Sequence, residues 1–191
     1  KSSSSILFLS QPTVKIANAT TGVKVKWNKI TGATGYKVYR AEYKNGKWSS
    51  WKGMKTIDKG STVSYTDKSV KSGVKYKYTV KAVNGKTGST YKSSSSLLYL
   101  AQPKVAVKAL SNGIKVAWVQ STGATSYTIY RSEYNTKTKK WSGWKNISTA
   151  KKDKKSWIDK SAKKGVTYRY TVKAVNGKVA STYKSSSSVK R

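Results

Sequence analysis

Six carboxylates face 40 basic residues in this chain of 191, and it contains neither histidine nor cysteine. Without His, the commonest general base and transition-metal ligand is missing; without Cys, so are disulfides and thiolate metal sites. Two carboxylates sharing acid–base work must face one cleft about 5–10 Å apart. The acids are Glu42, Asp58, Asp67, Glu133, Asp153 and Asp159. Glu42 matches Glu133, and Asp67 matches Asp159, across two copies of a repeat, so each recurs singly per copy; Asp58 and Asp153 fall in loops. These positions suit turn capping or pairing with Lys. Calcium needs clustered oxygens, and no Asp-x-Asp or Asp-x-Asn run occurs. Serine is abundant, but without His only a Ser–Lys arrangement could activate one. No glycine-rich phosphate loop is present. The chain is therefore read as non-enzymatic, with no catalytic residue, metal or cofactor.

The charge balance points to a partner. Net charge is +34, and the basic residues are overwhelmingly Lys, with Arg only at 40, 131, 169 and 191. Lysine is a hydrated point charge suited to diffuse attraction, whereas arginine reads phosphates and bases bidentately. The expected partner is an acidic or neutral polysaccharide or a cell-envelope polyanion; the rival is a nucleic acid held by charge alone and not read by sequence. The bland alternative is a solvated surface that binds nothing. No apolar stretch approaches the roughly 20 residues of a membrane span, and no secretion signal is read in the first residues.

Aromatic residues supply the second candidate for binding. Trp48-Ser-Ser-Trp51-Lys52 returns as Trp141-Ser-Gly-Trp144-Lys145. It is one part of a duplication. Lys1-Ser-Ser-Ser-Ser-Ile-Leu-Phe-Leu returns as Lys92-Ser-Ser-Ser-Ser-Leu-Leu-Tyr-Leu, Gly22–Trp27 as Gly113–Trp118, and Tyr76–Gly85 as Tyr168–Gly177. Lys184–Ser188 opens the serine block again. Two extra residues precede the second Trp pair. The resulting expectation is a tail strand of a preceding repeat over 1–10, then units over 11–101 and 102–191. Within a unit the apolar period is two: Val23, Val25 and Trp27 against Lys24 and Lys26, and Tyr76, Tyr78, Val80 and Ala82 against Lys75, Lys77, Thr79 and Lys81. That pattern, rich in β-branched and aromatic residues, predicts strands. Asn45-Gly46, Asn84-Gly85, Asn112-Gly113 and Asn176-Gly177 supply tight turns. About seven half-apolar strands per unit need a second sheet to cover them, which makes each unit an antiparallel sandwich.

The order of these pieces resembles a fibronectin type III domain over 11–190. A Val/Ile strand after Pro12 leads to Gly-Val-Lys-Val-Lys-Trp27, Gly-Ala-Thr-Gly-Tyr-Lys-Val-Tyr-Arg40, a Trp hairpin, Tyr-Thr-Asp67 and Gly-Val-Lys-Tyr-Lys-Tyr-Thr-Val-Lys-Ala-Val-Asn-Gly85. The resemblance implies two tandem all-β, immunoglobulin-like sandwiches. It implies that Trp27 and Trp118 are the buried tryptophans of the second strand. Tyr76 and Tyr168 would be the corner tyrosines whose hydroxyls bond back to the backbone. Val70 and Ala162 stand where the family carries Leu. The variant is similar to modules of Gram-positive bacterial surface and secreted proteins, which implies an extracellular spacer or adhesive repeat flanked by further repeats. No Arg-Gly-Asp occurs. Trp-Ser-x-Trp is also similar to a cytokine-receptor signature. It departs in its Lys52 and Lys145 and in its place before the fifth strand, so that function is not carried over.

Counting parity back from Met54 and Ile147 places Trp48 and Trp141 inward and Trp51 and Trp144 outward. The outward face then reads Trp51, Tyr39, Lys77 and Lys81, and in the second unit Trp144, Tyr130, Arg169 and Lys173. Two readings stay open: a ladder of rings and cation stems that stiffens the sheet, or an aromatic platform for a sugar. The serine blocks read as the start or bulge of a last strand. The final unit is expected to lack an apolar end to that strand, leaving an edge that Ile6–Leu9 could pair with.

Overall fold

Strand formation follows the period-two pattern wherever it runs unbroken. The computed structural model describes residues 8–191, and they divide into two compact units, one reaching Val70 and resuming at Val74–Tyr99, the other Lys71–Gly73 and Leu100–Arg191. The first unit holds β1 (Val14–Ala19), β2 (Gly22–Trp27), β3 (Gly35–Lys44), β4 (Lys47–Trp48), β5 (Lys52–Ile57), β6 (Ser64–Asp67), β7 (Lys75–Asn84), β8 (Thr87–Gly88) and β9 (Leu97–Leu98). The second repeats them as β10 (Val105–Leu110), β11 (Gly113–Trp118), β12 (Ser126–Asn135), β13 (Lys140–Trp141), β14 (Lys145–Lys151), β15 (Ser156–Asp159), β16 (Thr167–Asn176), β17 (Val179–Ala180) and β18 (Val189–Lys190).

Each unit is a pair of antiparallel sheets. One has the order β1-β2-β6; the other centres on β3 and β7, with β4 and β5 along the outer edge of β3 and β8 and β9 along that of β7. The second unit reproduces this with β10-β11-β15 and the β12–β16 pair. Val23, Val25 and Trp27 from one sheet and Tyr36, Val38, Tyr76, Tyr78, Val80 and Ala82 from the other are buried. Trp27 tilts against Tyr36 at 5.4 Å between ring centres, and Trp118 against Tyr127 at 5.4 Å. The two buried tryptophans expected from the sequence are thus the cores' aromatic centres. Among the described residues no helix is long and apolar enough to cross a membrane.

Turn chemistry explains the hairpins. Lys44 pairs with Lys47 across Asn45-Gly46, whose φ values of 50° and 78° fit a two-residue turn of the primed type. The second unit spends its two extra residues here. Asn135 pairs with Lys140, and the Asn135 side chain accepts the amides of Lys137 and Thr138 at 3.0 Å each.

The serine blocks are neither linkers nor regular strand. Ser94 donates its amide to the Tyr78 carbonyl at 2.8 Å while its hydroxyl accepts the Tyr78 amide at 3.0 Å. Ser89 does the same with Ala82, at 2.9 and 3.0 Å. Ser181 clasps Ala174 and Ser186 clasps Tyr170 in the same way. In each, the serine Oγ stands where the strand's own carbonyl would, then donates to the next residue's carbonyl. A short side chain bearing one donor and two lone pairs is what this geometry requires.

The second unit's last strand pairs even without an apolar end: Val189 pairs with Tyr168 and Lys190 with Thr167, the register that Leu97 and Leu98 adopt on Tyr76 and Lys75. Arg191 secures it by donating its amide to Val166 O at 3.2 Å and a guanidinium N–H to Ala162 O. The tail strand expected over 1–10, and the pairing of Ile6–Leu9, lie largely outside the described residues. Of the part described, Phe8 is exposed and Leu9 is buried.

Candidate functional site

The carboxylates come first, because they are few. Asp67 is wholly buried where β6 ends beside β2. Its Oδ2 accepts from Arg40 Nη1 at 2.7 Å and Tyr78 OH at 2.8 Å, and its Oδ1 from the Ser69 amide at 2.9 Å and the Ser69 hydroxyl at 2.7 Å. Arg40 also donates to Glu42 Oε1 at 2.5 Å and lies 5.1 Å over the Tyr76 ring. Asp159, Arg131, Tyr170 and Ser161 repeat the node, with Arg131 4.9 Å over Tyr168. As expected, these acids cap turns, Asp67 and Asp159 through the amides of Ser69 and Ser161, or pair with Lys, Glu42 with Lys44 at 2.9 Å; the ion pairs of Asp67 with Arg40 and Asp159 with Arg131 were not expected. Burial pushes the Asp67 carboxyl up, but the bonds from Ser69, Arg40 and Tyr78 outweigh it and hold it below the usual range. Asp159 is lowered by the same balance. Burial and the neighbouring carboxylate push the Tyr78 and Tyr170 hydroxyls up. Every lone pair that could serve a base is occupied, and the node is a structural clamp between sheets. Gly22 and Gly113 lie against it: a β-carbon there would overlap the carbonyl oxygen of Asp67 or Asp159.

The corner tyrosine expected at 168 is present, its hydroxyl accepting the Lys163 amide at 3.0 Å. Tyr76 is buried beneath Arg40 at the matching place. Among the described residues no cluster of three or more His, Cys, Asp or Glu could hold a metal.

The outward face of the β3–β7 sheet carries the other constellation. Lys77 Nζ sits 4.6 Å from the Trp48 ring centre and 5.5 Å from that of Trp51. Trp48 meets Tyr43 at 5.3 Å, and Trp51 meets Tyr91 edge-on at 6.3 Å and 83°. Lys81 lies 4.9 Å over Tyr91, and Lys75 5.8 Å over Tyr43. In the second unit Arg169 lies 4.5 Å over Trp141 and 5.0 Å over Trp144, and Lys173 lies over Tyr130 and Tyr183 at 5.3 and 4.8 Å. The result is an alternating row of rings and cations. Ala41 and Ser132 are Cα partners of Lys77 and Arg169. Both are outward-facing yet 1% exposed, which is expected if the row forms a roof over small residues.

The structure thus brings Trp51, Tyr39, Lys77 and Lys81 to one face, and Trp144, Tyr130, Arg169 and Lys173 to its counterpart. It corrects the placement of Trp48 and Trp141, which stand outward beside their partners. Parity failed because the chain is not one strand there. Ser49 donates its amide to Glu42 O and accepts the Glu42 amide with its hydroxyl, and Ser142 does so with Glu133. This clasp separates β4 from β5 and resets the alternation. A bulge between Val38 and Tyr39 shifts it again at Met54, and one between Ile129 and Tyr130 does so at Ile147. Tyr43, Tyr91, Tyr134 and Tyr183 also belong to the row and were missed. The visible signal was Tyr-Lys-Ser-Ser-Ser-Ser recurring at 91 and 183.

No protein-family model matches the sequence, and no curated protein matches it. Among solved structures the chain is similar to a two-domain fibronectin type III segment of chicken tenascin, at 18% identity over 94% of this chain and 99% of that one, TM-score 0.47. It is similar to the chicken interferon gamma receptor alpha chain at 14% identity, 94% and 97% coverage, TM-score 0.48. The FN1-FN3 domains of chicken CNTN1 follow at 17%, 94% and 66%, TM-score 0.38. The strand order within each unit shows the fold by itself: two all-β antiparallel sandwiches.

Proposed function

We propose that this chain is a non-catalytic structural and interaction module of a cell-surface or secreted protein, whose lysine-coated sheets lie against an anionic polymer. One observation carries the reading. Lysines stand directly opposite one another across neighbouring strands, as Lys15–Lys26 and Lys37–Lys81 in the first unit and Lys108–Lys115 in the second. Like charges so placed repel, at about 0.2–1 kcal/mol a pair. Carboxylates that could relieve them are few, and Asp67, Asp159 and Glu42 are spent on Arg40, Arg131 and Lys44. A fold that needed only solubility would intersperse both signs. Repulsion is relieved when a polyanion replaces the counter-ions.

The test compares retention on immobilised polyphosphate and on a neutral glucan at two salt concentrations. Salt-sensitive retention on polyphosphate, with none on the glucan, is expected. Salt-insensitive retention, or none on either matrix, would overturn the reading.

A further inference from the structure

We infer that an outward depression of the first unit, walled by Tyr39, Trp51, Thr79, Lys81 and Tyr91, binds a uronic-acid unit of an acidic polysaccharide. The inference rests on the polyanion reading for its long-range attraction and adds a shape to it. The cavity is about 120 Å³, of the order of one sugar ring. Two faces of the row are already taken, since Lys77 covers both Trp48 and Trp51. What remains open is the end of the row. Tyr91 is 44% exposed and meets Trp51 edge-on, with Lys81 over one face of its ring and the other left to a ligand. Aromatic walls stack on the C–H faces of a pyranose and offer little to an acyclic phosphodiester. The Lys81 ammonium at the rim supplies the charge, and no carboxylate lines the cavity to compete for it. Thr79, 1% exposed, closes the floor, its hydroxyl held by Lys92 O at 3.0 Å.

The second unit differs in two ways beside the matching place. Gly53 is the Cα partner of Tyr39, and a β-carbon there would come only within 4.0 Å of the ring. Asn146 stands opposite Tyr130 at the matching position. Lys173 lies over both Tyr130 and Tyr183, whereas Lys81 lies over Tyr91. The site therefore belongs to the first unit, and binding is one uronate unit per chain.

The experiment titrates the full chain with trigalacturonate, and separately with polyphosphate and the neutral galactose trisaccharide, following tryptophan fluorescence and calorimetry. Saturable binding of trigalacturonate at one site is expected, with Lys81→Ala, Tyr91→Ala and Gly53→Asn each weakening it tenfold or more. Tyr183→Ala should change it less than twofold. Trigalacturonate affinity unchanged by both Tyr91→Ala and Gly53→Asn, in variants with native circular dichroism, would overturn the site. So would equal binding of the neutral trisaccharide. The polyphosphate arm on the unaltered chain separates the two ideas. Salt-sensitive polyphosphate binding without a ring-dependent uronate site sinks only this inference, and no polyphosphate binding at all sinks the polyanion reading.

Discussion

Asp67 and Asp159 illustrate how few polar atoms hold these sandwiches in register. Each is buried and satisfied by an arginine and a tyrosine from separate strands and by a serine in the turn two residues on. Removing one member of such a pair leaves the other charge buried without compensation. Asp67→Asn should therefore cost about 3 kcal/mol of folding free energy, read as a lower urea midpoint, while Asp153→Asn, on an exposed loop, should change it little. The pH dependence has a definite sign. Both carboxyls are held below their unfolded value, so their contribution is present above about pH 4. It is lost as pH falls through the lowered folded value. Thermal unfolding between pH 5 and pH 2 should show this loss, and Asp67→Asn should flatten it. The cation row yields a second residue-level outcome. A guanidinium stacks on indole better than an ammonium does. Arg169→Lys should lower stability by about 0.5–1 kcal/mol and Lys77→Arg should raise it by a similar amount, both checked by chemical denaturation.

Edge strands pose the next problem. An unpaired edge invites another chain to pair with it. Both edges of the larger sheet are cut into short pieces, β4 and β5 on one side and β8 and β9 on the other. Serine clasps at Ser49, Ser89 and Ser94 make the cuts while keeping the amides of Glu42, Ala82 and Tyr78 bonded. The device serves two ends, anchoring a strand poor in apolar side chains and denying a long flat edge to other copies. Ser94→Ala would strand the buried Tyr78 amide and should cost about 1–3 kcal/mol, with faster hydrogen exchange at that amide. Ser96→Ala, exposed and outside the clasp, should leave both unchanged.

Across the whole molecule the dominant quantity is net charge, +34 on 191 residues. Charge of this size favours solubility and opposes compactness through self-repulsion. The two effects of any one lysine can be separated. Lys26→Glu would turn the repulsive Lys15–Lys26 pair attractive, raising stability by about 0.2–1 kcal/mol, and should weaken polyphosphate retention at low salt. A parallel rise of stability and retention, or no change in retention, would contradict the proposed role of the lysine-coated sheets.

Most of the architecture was legible in the residue order, because alternation along a strand is a local property. Val23, Val25 and Trp27, or Tyr76 through Ala82, need only two-residue periodicity to declare which side faces the core. Duplication then vouched for each element twice. Three features required coordinates. Trp48 and Trp141 face outward because a serine hydroxyl interrupts the strand, and hydroxyl geometry leaves no trace in an apolar pattern. Arg40 meets Asp67 across 27 residues of sequence, a separation at which composition alone suggests the far more numerous lysines. Tyr91 and Tyr183 complete the ring row because the last strand folds back beside β7 and β16. Local periodicity fixes faces; only the closing of strands onto one another decides which side chains become neighbours.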